Sequence, residues 1–455
     1  MYSPSTEEYL GFVAEAVDAD IDHAVHLART AFDSGEWPRW SPSERAGALD
    51  RLHDIIARER LGMEQAFTRE VGGPAGVAAA FMDNALGAVS AAANLARRFS
   101  FEEKRVTASG DEVLLVKEPV GVVGAIVPWN GPVTNVCLKI APALAAGCTV
   151  VVKAAPEGPG SLVLLANAIE EAGFPPGVVS VLVGGREAGE HLVTHPQVDK
   201  IAFTGSTAAG QRIMSLCGER IRNVTLELGG KSAAIIADNI DFDEVLPSLL
   251  PAWLGHSGQV CCAITRIVVP HSRQEELLSK IADALTVWMV GDASDPETTI
   301  GPLVAERQRD RVEEYIRVGV EEGARLAIGG SRPAHLTRGW FVEPTVFADV
   351  DRSMRIAQEE IFGPVLAVLP YETLDEAIDI ANDSDFGLSG VVYATDHALA
   401  VSVARRVRTG QISINDFNIC LTQPFGGFKM SGIGREGGEE GLSEYLEMKL
   451  LQGVR

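Results

Sequence analysis

From residue 120 onward, apolar runs of strand length alternate with helix-length amphipathic segments, and few folds accommodate that rhythm. The runs Val122–Val127, 149–152, 178–183, 200–203 and 224–228 are spaced by segments such as 138–146 and 162–171. Strands separated by a helix run parallel, because the crossover returns the chain to the same end of the sheet. A second series opens at Ser232–Ile236 and continues through 264–269, 365–369, 391–394 and 411–414. The pattern therefore predicts an α/β protein with two Rossmann-like parallel-sheet domains. Residues 1–100 read as helical: Ser41-Pro42-Ser43-Glu44 is a capping box with proline at the first helical position, Leu49, Leu52, Ile55 and Ile56 follow at helical spacing, and Gly72-Gly73-Pro74 stops the segment. Residues 1–100 and 120–228 form one predicted domain and 229–430 the second. Two strand-like runs, 112–118 and 445–451, lie outside both, in segments 101–119 and 440–455, and predict a small β arm that pairs with another subunit.

Charge narrows the partners. The 455 residues carry 39 basic and 62 acidic side chains, a net −23, which repels nucleic acid and anionic membrane surfaces. Apolar stretches such as 138–152 are interrupted, here by Lys139, so no membrane span is expected. Glu7-Glu8 stands where a secretion signal would be apolar. Six cysteines without a C-x-x-C pair suit a reducing cytoplasm, where a cysteine is either packing or chemistry.

Several motifs mislead. Gly432-Ile433-Gly434-Arg435-Glu436-Gly437 matches G-x-G-x-x-G, but too little chain follows for a βαβ unit, and a flexible turn is expected instead. His191 and His195 share a helix face without a third ligand at suitable spacing, so a solvated face is expected and no metal site. Gly255-His256-Ser257-Gly258 has Gln259 where a nucleophile elbow needs glycine. Asn223-Val224-Thr225 is a glycosylation sequon with meaning only in a secreted chain. Cys261, in Gly258-Gln259-Val260-Cys261-Cys262, differs: a thiol is the most ready covalent nucleophile among side chains, although by spacing alone two adjacent cysteines read as buried packing.

Its company decides. Val127-Pro128-Trp129-Asn130, Phe203-Thr204-Gly205-Ser206-Thr207, Leu226-Glu227-Leu228-Gly229-Gly230-Lys231-Ser232, Gly258-Gln259-Val260-Cys261, Glu359-Glu360-Ile361-Phe362-Gly363-Pro364 and Pro424-Phe425-Gly426-Gly427-Phe428-Lys429 occur in order. Together they resemble the NAD(P)-dependent aldehyde dehydrogenase superfamily over residues 15–450. The resemblance implies that the first domain binds the dinucleotide, the second is catalytic and the arm serves oligomerisation as a homodimer or homotetramer. It implies Cys261 as nucleophile, Glu227 as general base and Asn130 as oxyanion donor. For the cofactor it implies Lys153 at the adenosine ribose, Ser206 at the pyrophosphate, and Glu360 with Phe362 at the nicotinamide ribose and ring, with Pro128, Trp129, Pro156, Gly205 and Leu228 in the same site. Glu227 favours the hydrolytic branch over the branch that passes the acyl group to coenzyme A.

Two departures from the family pattern carry expectations. Where many NAD-preferring members have glutamate, this chain has Pro156, followed by Glu157; the expectation is NAD, with NADP left open. Gly131 and Asn135 replace bulkier residues beside Asn130, so a wide channel for a small-molecule aldehyde is expected. Two other readings stay in play at this stage: a non-enzymatic binding or structural protein on the same fold, and a cofactor-independent thiol esterase.

Overall fold

Ser41 caps its helix as the sequence dictates: its Oγ accepts from Glu44 N–H and its own N–H donates to Glu44 Oε2. That helix, α2 (Pro42–Val71), follows α1 (Asp18–Asp33) and ends at Gly72, which takes φ +86° where a side chain would be strained. The third, α3 (Ala75–Arg98), turns back along it. By length and composition α3 could cross a membrane, a feature the sequence reading passed over. Its Ala78, Met82, Ala85, Val89 and Ala93 are instead buried in contact with α2 and α4 (Pro132–Ala146). The computed structural model describes residues 1–453; Val454 and Arg455, the end of the predicted arm segment 440–455, lie outside the described residues.

β1 (Glu102–Val106) and β2 (Glu112–Pro119) form an antiparallel hairpin. The chain then enters the first large sheet through β3 (Val122–Val127), β4 (Thr149–Ala154), β5 (Val179–Val183), β6 (Lys200–Thr204) and β7 (Asn223–Glu227). Their crossovers include α4, α5 (Pro159–Glu171), α6 (Arg186–Thr194) and α7 (Thr207–Gly218). The spatial order β7-β6-β3-β4-β5 is parallel throughout. The chain winds outward from β3 in one direction and then returns to wind in the other. A crevice therefore opens at the carboxyl ends between β3 and β6.

The second sheet is built from β8 (Ser232–Ile236), β9 (Ile264–Pro270), β10 (Arg325–Ile328), β11 (Thr345–Ala348), β12 (Val365–Tyr371), β13 (Gly390–Tyr393) and β14 (Ser413–Ile414). Its order is β10-β11-β12-β9-β8-β13-β14, parallel except for β10. Its helices include α8 (Phe242–Leu254), α9 (Gln274–Leu285), α10 (Glu306–Glu321), α11 (Arg355–Gln358), α12 (Leu374–Asn382) and α13 (His397–Ala404). Apolar clusters fill both faces of both sheets.

One expectation fails here. Residues 432–437 are more than a flexible turn: β15 (Gly432–Ile433) adds an antiparallel strand to β7, with Gly432 opposite Glu227, and Phe425 bridges to Glu436. A Cβ on Gly432 would lie 2.0 Å from Leu226 O, so only glycine permits this approach. After α14 (Gly438–Ser443), β16 (Leu446–Gln452) pairs with β2, leaving a three-stranded sheet β1-β2-β16 apart from the two large ones. Near the start of the chain, Ser3 N–H donates to Glu8 O and Tyr2 bridges Tyr9.

Candidate active site

The two sheets meet by unlike ends. At the carboxyl ends of the first, Pro128, Trp129 and Asn130 leave β3, Gly205 and Ser206 leave β6, and Glu227 and Leu228 leave β7. From the second, Cys261 precedes the amino end of β9, and Glu360 and Phe362 precede that of β12. Together they line one cleft of about 970 Å³. Loops far apart in sequence thus converge, because a parallel sheet brings all its strand ends of one kind to one side.

The cysteine loop is locked from behind. Gly258 adopts φ +74°, and a Cβ there would stand 2.3 Å from Gly363 O. The Gly-Gln and Phe-Gly-Pro motifs are therefore halves of one backbone contact. Buried Gln259 donates Nε2–H to His256 O at 3.1 Å and accepts from Val304 N–H at 3.0 Å. His256 and Ser257 both have positive φ. Ser257 Oγ donates to Gly301 O at 2.7 Å, which uses its hydroxyl structurally and removes the nucleophile-elbow reading. His256 is packed among Phe67, Phe81 and Trp129, and burial lowers it to about 3, so its ring is neutral.

Cys261 is partly exposed to the cleft, whereas Cys262 is buried. The hydrogen bond to Cys262 holds the Cys261 thiol well above its ordinary range, with burial and the carboxylates of Glu360 and Glu227 adding to the effect. Asn130 Nδ2 donates to Gln259 O at 3.0 Å, while Asn135 Nδ2 lies 3.5 Å from Asn130 Oδ1. This fixes the amide with its NH₂ toward the cysteine loop, and one N–H remains for a ligand.

Glu227 is 3% exposed, and both carboxyl oxygens lack a hydrogen-bond partner among the described residues. Burial raises it well above the usual carboxylate range, and the Glu436 charge raises it further. Gly426 must lack a side chain here, since a Cβ would approach Glu227 Oε1 to 2.6 Å. Behind it lies a pair that sequence reading missed: Lys139 Nζ donates to Glu436 Oε1 at 2.5 Å, with side chains 1% and 6% exposed. The available signal was Lys139 itself, a lysine in the otherwise apolar α4, because a buried ammonium calls for a buried carboxylate.

A second cavity, of about 400 Å³, is lined by Lys153, Arg186, Gly189, Phe203, Ser206 and Arg212 among others, and it shares Ser206 and Ala208 with the cleft. The pair is suitably lined for a dinucleotide. Ser206 caps α7, whose N-terminus favours an anion, and the buried hydroxyls Thr204 Oγ1 and Thr207 Oγ1 have no partner among the described residues. Lys153 donates to Gly184 O at 3.1 Å, and burial lowers its pKa. Glu360 accepts from Gly230 N–H at 3.1 Å, and desolvation pushes it up to about 7. Phe362 is held at φ +65°, its carbonyl bonded by Gln308 and its ring edge-on to Trp129 at 5.6 Å. Such strain persists only where surroundings impose it.

Pro156 is not among the described residues lining either cavity. Glu157 is paired with Arg307, and its charge also acts on Lys153. Arg186 and Arg212, overlooked in sequence, stand beside Lys153, although Arg212 is paired with Glu190 at 2.5 Å. The expected void at Gly131 is filled as well: a Cβ there would meet two ring carbons of Phe81 at 3.2 Å. An aromatic ring from α3 thus occupies the flank that Gly131 leaves bare. Around Cys261 the remaining packing is apolar: Val260, Ile419, Leu421, Phe425 and Leu388. His191 and His195 face Asp22 of α1, at 2.6 and 3.5 Å, and tie α6 to α1.

The model of the aldehyde dehydrogenase family matches residues 1–451. A geranial dehydrogenase of Castellaniella defragrans is 46% identical over 449 residues, covering 98% of this chain and 93% of that protein. The solved structure of a Mycobacterium tuberculosis aldehyde dehydrogenase with NAD+ is 44% identical, with TM-score 0.97 over 100% of this chain and 95% of that one. A variant of aldehyde dehydrogenase C from Pseudomonas syringae, solved with NAD+ and octanal, is 40% identical, with TM-score 0.95, covering 100% and 93%.

Proposed function

Because this chain belongs to the aldehyde dehydrogenase family and so oxidises an aldehyde to its acid with NAD, we propose that Cys261, Glu227 and Asn130 carry the chemistry. The observation that supports this most directly is their convergence in one cleft, with the thiol partly open to it, the carboxyl left without partners and the amide oriented by Asn135. The Cys261 thiol gives its proton to solvent in the cleft, and Cys261 Sγ bonds to the carbonyl carbon. The electron pair displaced onto oxygen is met by the free N–H of Asn130 and the backbone N–H of Cys261. Bound NAD supplies the acceptor for the hydride that leaves this carbon as the carbonyl re-forms. Glu227 then takes a proton from water as that water adds to the thioester carbon. The carbon–sulfur bond breaks, releasing the acid and the thiolate. A site built for this sequence is not required by the thiol-esterase reading, which uses no second cavity.

Lys153 at the adenosine ribose, Ser206 at the pyrophosphate, and Glu360 and Phe362 at the nicotinamide end would hold the cofactor, with Pro128, Trp129, Gly205 and Leu228 as walls. Their positions along two joined cavities support that assignment. In the division into a cofactor unit (1–100 and 120–228) and a catalytic unit (229–430), the first supplies Lys153 and Ser206 and the second Cys261, while Asn130 and Glu227 reach the cleft from the first and Glu360 and Phe362 from the second. The apolar packing about Cys261 favours aldehydes with apolar tails, as the names of the Castellaniella relative and the octanal complex do for those proteins. Free edges on β1 and β16, with Val106, Met448 and Leu450 exposed, favour a homodimer or homotetramer joined through the arm. Six free thiols suit the cytoplasm. The test is formation of reduced nicotinamide from NAD or NADP with a panel of aliphatic aldehydes: Cys261→Ala abolishes it and Cys262→Ala retains most of it. Loss only in Cys262→Ala would move the nucleophile by one residue.

A further inference from the structure

Behind the Gly229-Gly230 turn, the second sheet buries two cations side by side. Lys231, just before β8, is 3% exposed, and its Nζ has no hydrogen-bond partner among the described residues. Arg266, on β9, is 2% exposed. It donates Nε–H to Lys231 O at 2.9 Å, Nη1–H to Ile380 O at 3.1 Å and Nη2–H to Ala381 O at 2.9 Å, leaving two guanidinium N–H groups unspent. Both side chains line one small enclosed cavity with Phe386, Leu388, Ser389 and Thr409. Ser389 Oγ, in a residue 1% exposed, also has no partner among the described residues.

Among the described residues no carboxylate hydrogen-bonds to either cation; Glu359, Glu360 and Asp383 act on them only through space. Arginine does not give up its proton in a protein, so the cavity keeps a positive charge whatever Lys231 does. Its volume, about 10 Å³, admits one atom-sized guest. A neutral water would satisfy hydrogen bonds but leave the charge; a monatomic anion does both. We propose that this cavity is a buried halide site, with chloride held by Lys231 Nζ, the free Arg266 N–H groups and Ser389 Oγ.

The arrangement differs from the cleft in function. Its walls come from strand starts and from the loop preceding β13, and among the described residues its lining shares only Phe386 with the cleft. Halide binding would brace the turn whose Gly230 N–H holds Glu360.

The experiment uses the full chain, exchanged into sodium gluconate and titrated with sodium chloride or bromide at constant ionic strength. Unfolding temperature is followed, and crystals soaked in bromide are measured for anomalous scattering. The expected result is a saturable rise of about 3 °C at a hundredfold excess over Kd, since a ligand binding only the native state stabilises it by mass action. An anomalous peak is expected between Lys231, Arg266 and Ser389. Halide affinity should fall at least tenfold in Ser389→Ala and vanish in Lys231→Met. If Lys231→Met does not fold, the wild-type bromide peak and the Ser389→Ala titration decide. Absence of an anomalous peak in the cavity at saturating bromide, or halide and gluconate giving the same unfolding curve, would overturn the proposal and leave water as the guest.

Discussion

Removing Lys139 should cost stability and move the acid limb of turnover in a direction that the structure dictates. Its ammonium and the Glu436 carboxylate share a 2.5 Å bond at 1% and 6% exposure. Breaking such a pair from one side strands a buried charge, at a cost of about 3–5 kcal/mol. Lys139→Met and Glu436→Gln should each pay it, whereas the double variant, which leaves no stranded charge, should lose far less than the sum. The same charges bear on Glu227 with opposite signs: Glu436 raises its pKa and Lys139 lowers it. Glu227 works as a base only when ionised. The acid limb of thioester hydrolysis should therefore shift to higher pH in Lys139→Met and to lower pH in Glu436→Gln. A full charge in the adjoining layer is worth on the order of 2 kcal/mol at an effective dielectric near 20, which is about 1.5 pH units. Denaturant unfolding of the four proteins gives the coupling energy. Single-turnover release of acid from the acyl-enzyme between pH 5 and 10 gives the limb. Additive stability losses, or limbs that move in the same direction in the two single variants, would refute this account and reduce the pair to packing.

Other outcomes follow from the same geometry. Glu227→Gln should still give a burst of reduced nicotinamide and then stall, because the thioester forms without a base for water; stopped-flow absorbance at the nicotinamide band checks it, and a steady rate without a burst contradicts it. Asn130→Ala should lower kcat by roughly 10²–10³, the usual penalty for one oxyanion donor, and a change below threefold removes Asn130 from the role. Truncation after Ser443 deletes β16 and exposes the edge of β2, so sedimentation should show dissociation or aggregation; a fully active, monodisperse protein of unchanged assembly state would refute the role given to the arm.

How much was legible in the sequence depended on the range of the interaction. β3, β4 and β9 were plain because they are buried throughout and apolar apart from Thr149, Lys153, Thr265 and Arg266. β10 was invisible because it is short, with Arg325 and Leu326 exposed at the sheet edge, and neither it nor β11 stood out in the pattern. Among the residues that line the cleft, those carried by local motifs were expected from the sequence. Those set by packing between distant segments were missed, and for a stated physical reason in each case. Phe81 fills the flank of Gly131 from another helix; Arg307 pairs with Glu157 across 150 positions; Glu436 meets Lys139 across 297. The glycine run at 432–437 looked like slack chain because its purpose, close backbone approach to Leu226 and Glu227, belongs to the strand it lies against.

That the second sheet presents its amino ends to the cleft leaves its carboxyl ends, after Ile236, Tyr371 and Tyr393, facing away from the chemistry. In the first sheet the corresponding turns carry Asn130, Ser206 and Glu227, which line the cleft. An engineer who wishes to splice in a fluorophore, an affinity handle or a tether to a surface has a built-in asymmetry to use: residues 237–241 and 394–396 are remote from every reacting atom, so cargo attached there should ride on the enzyme without slowing it.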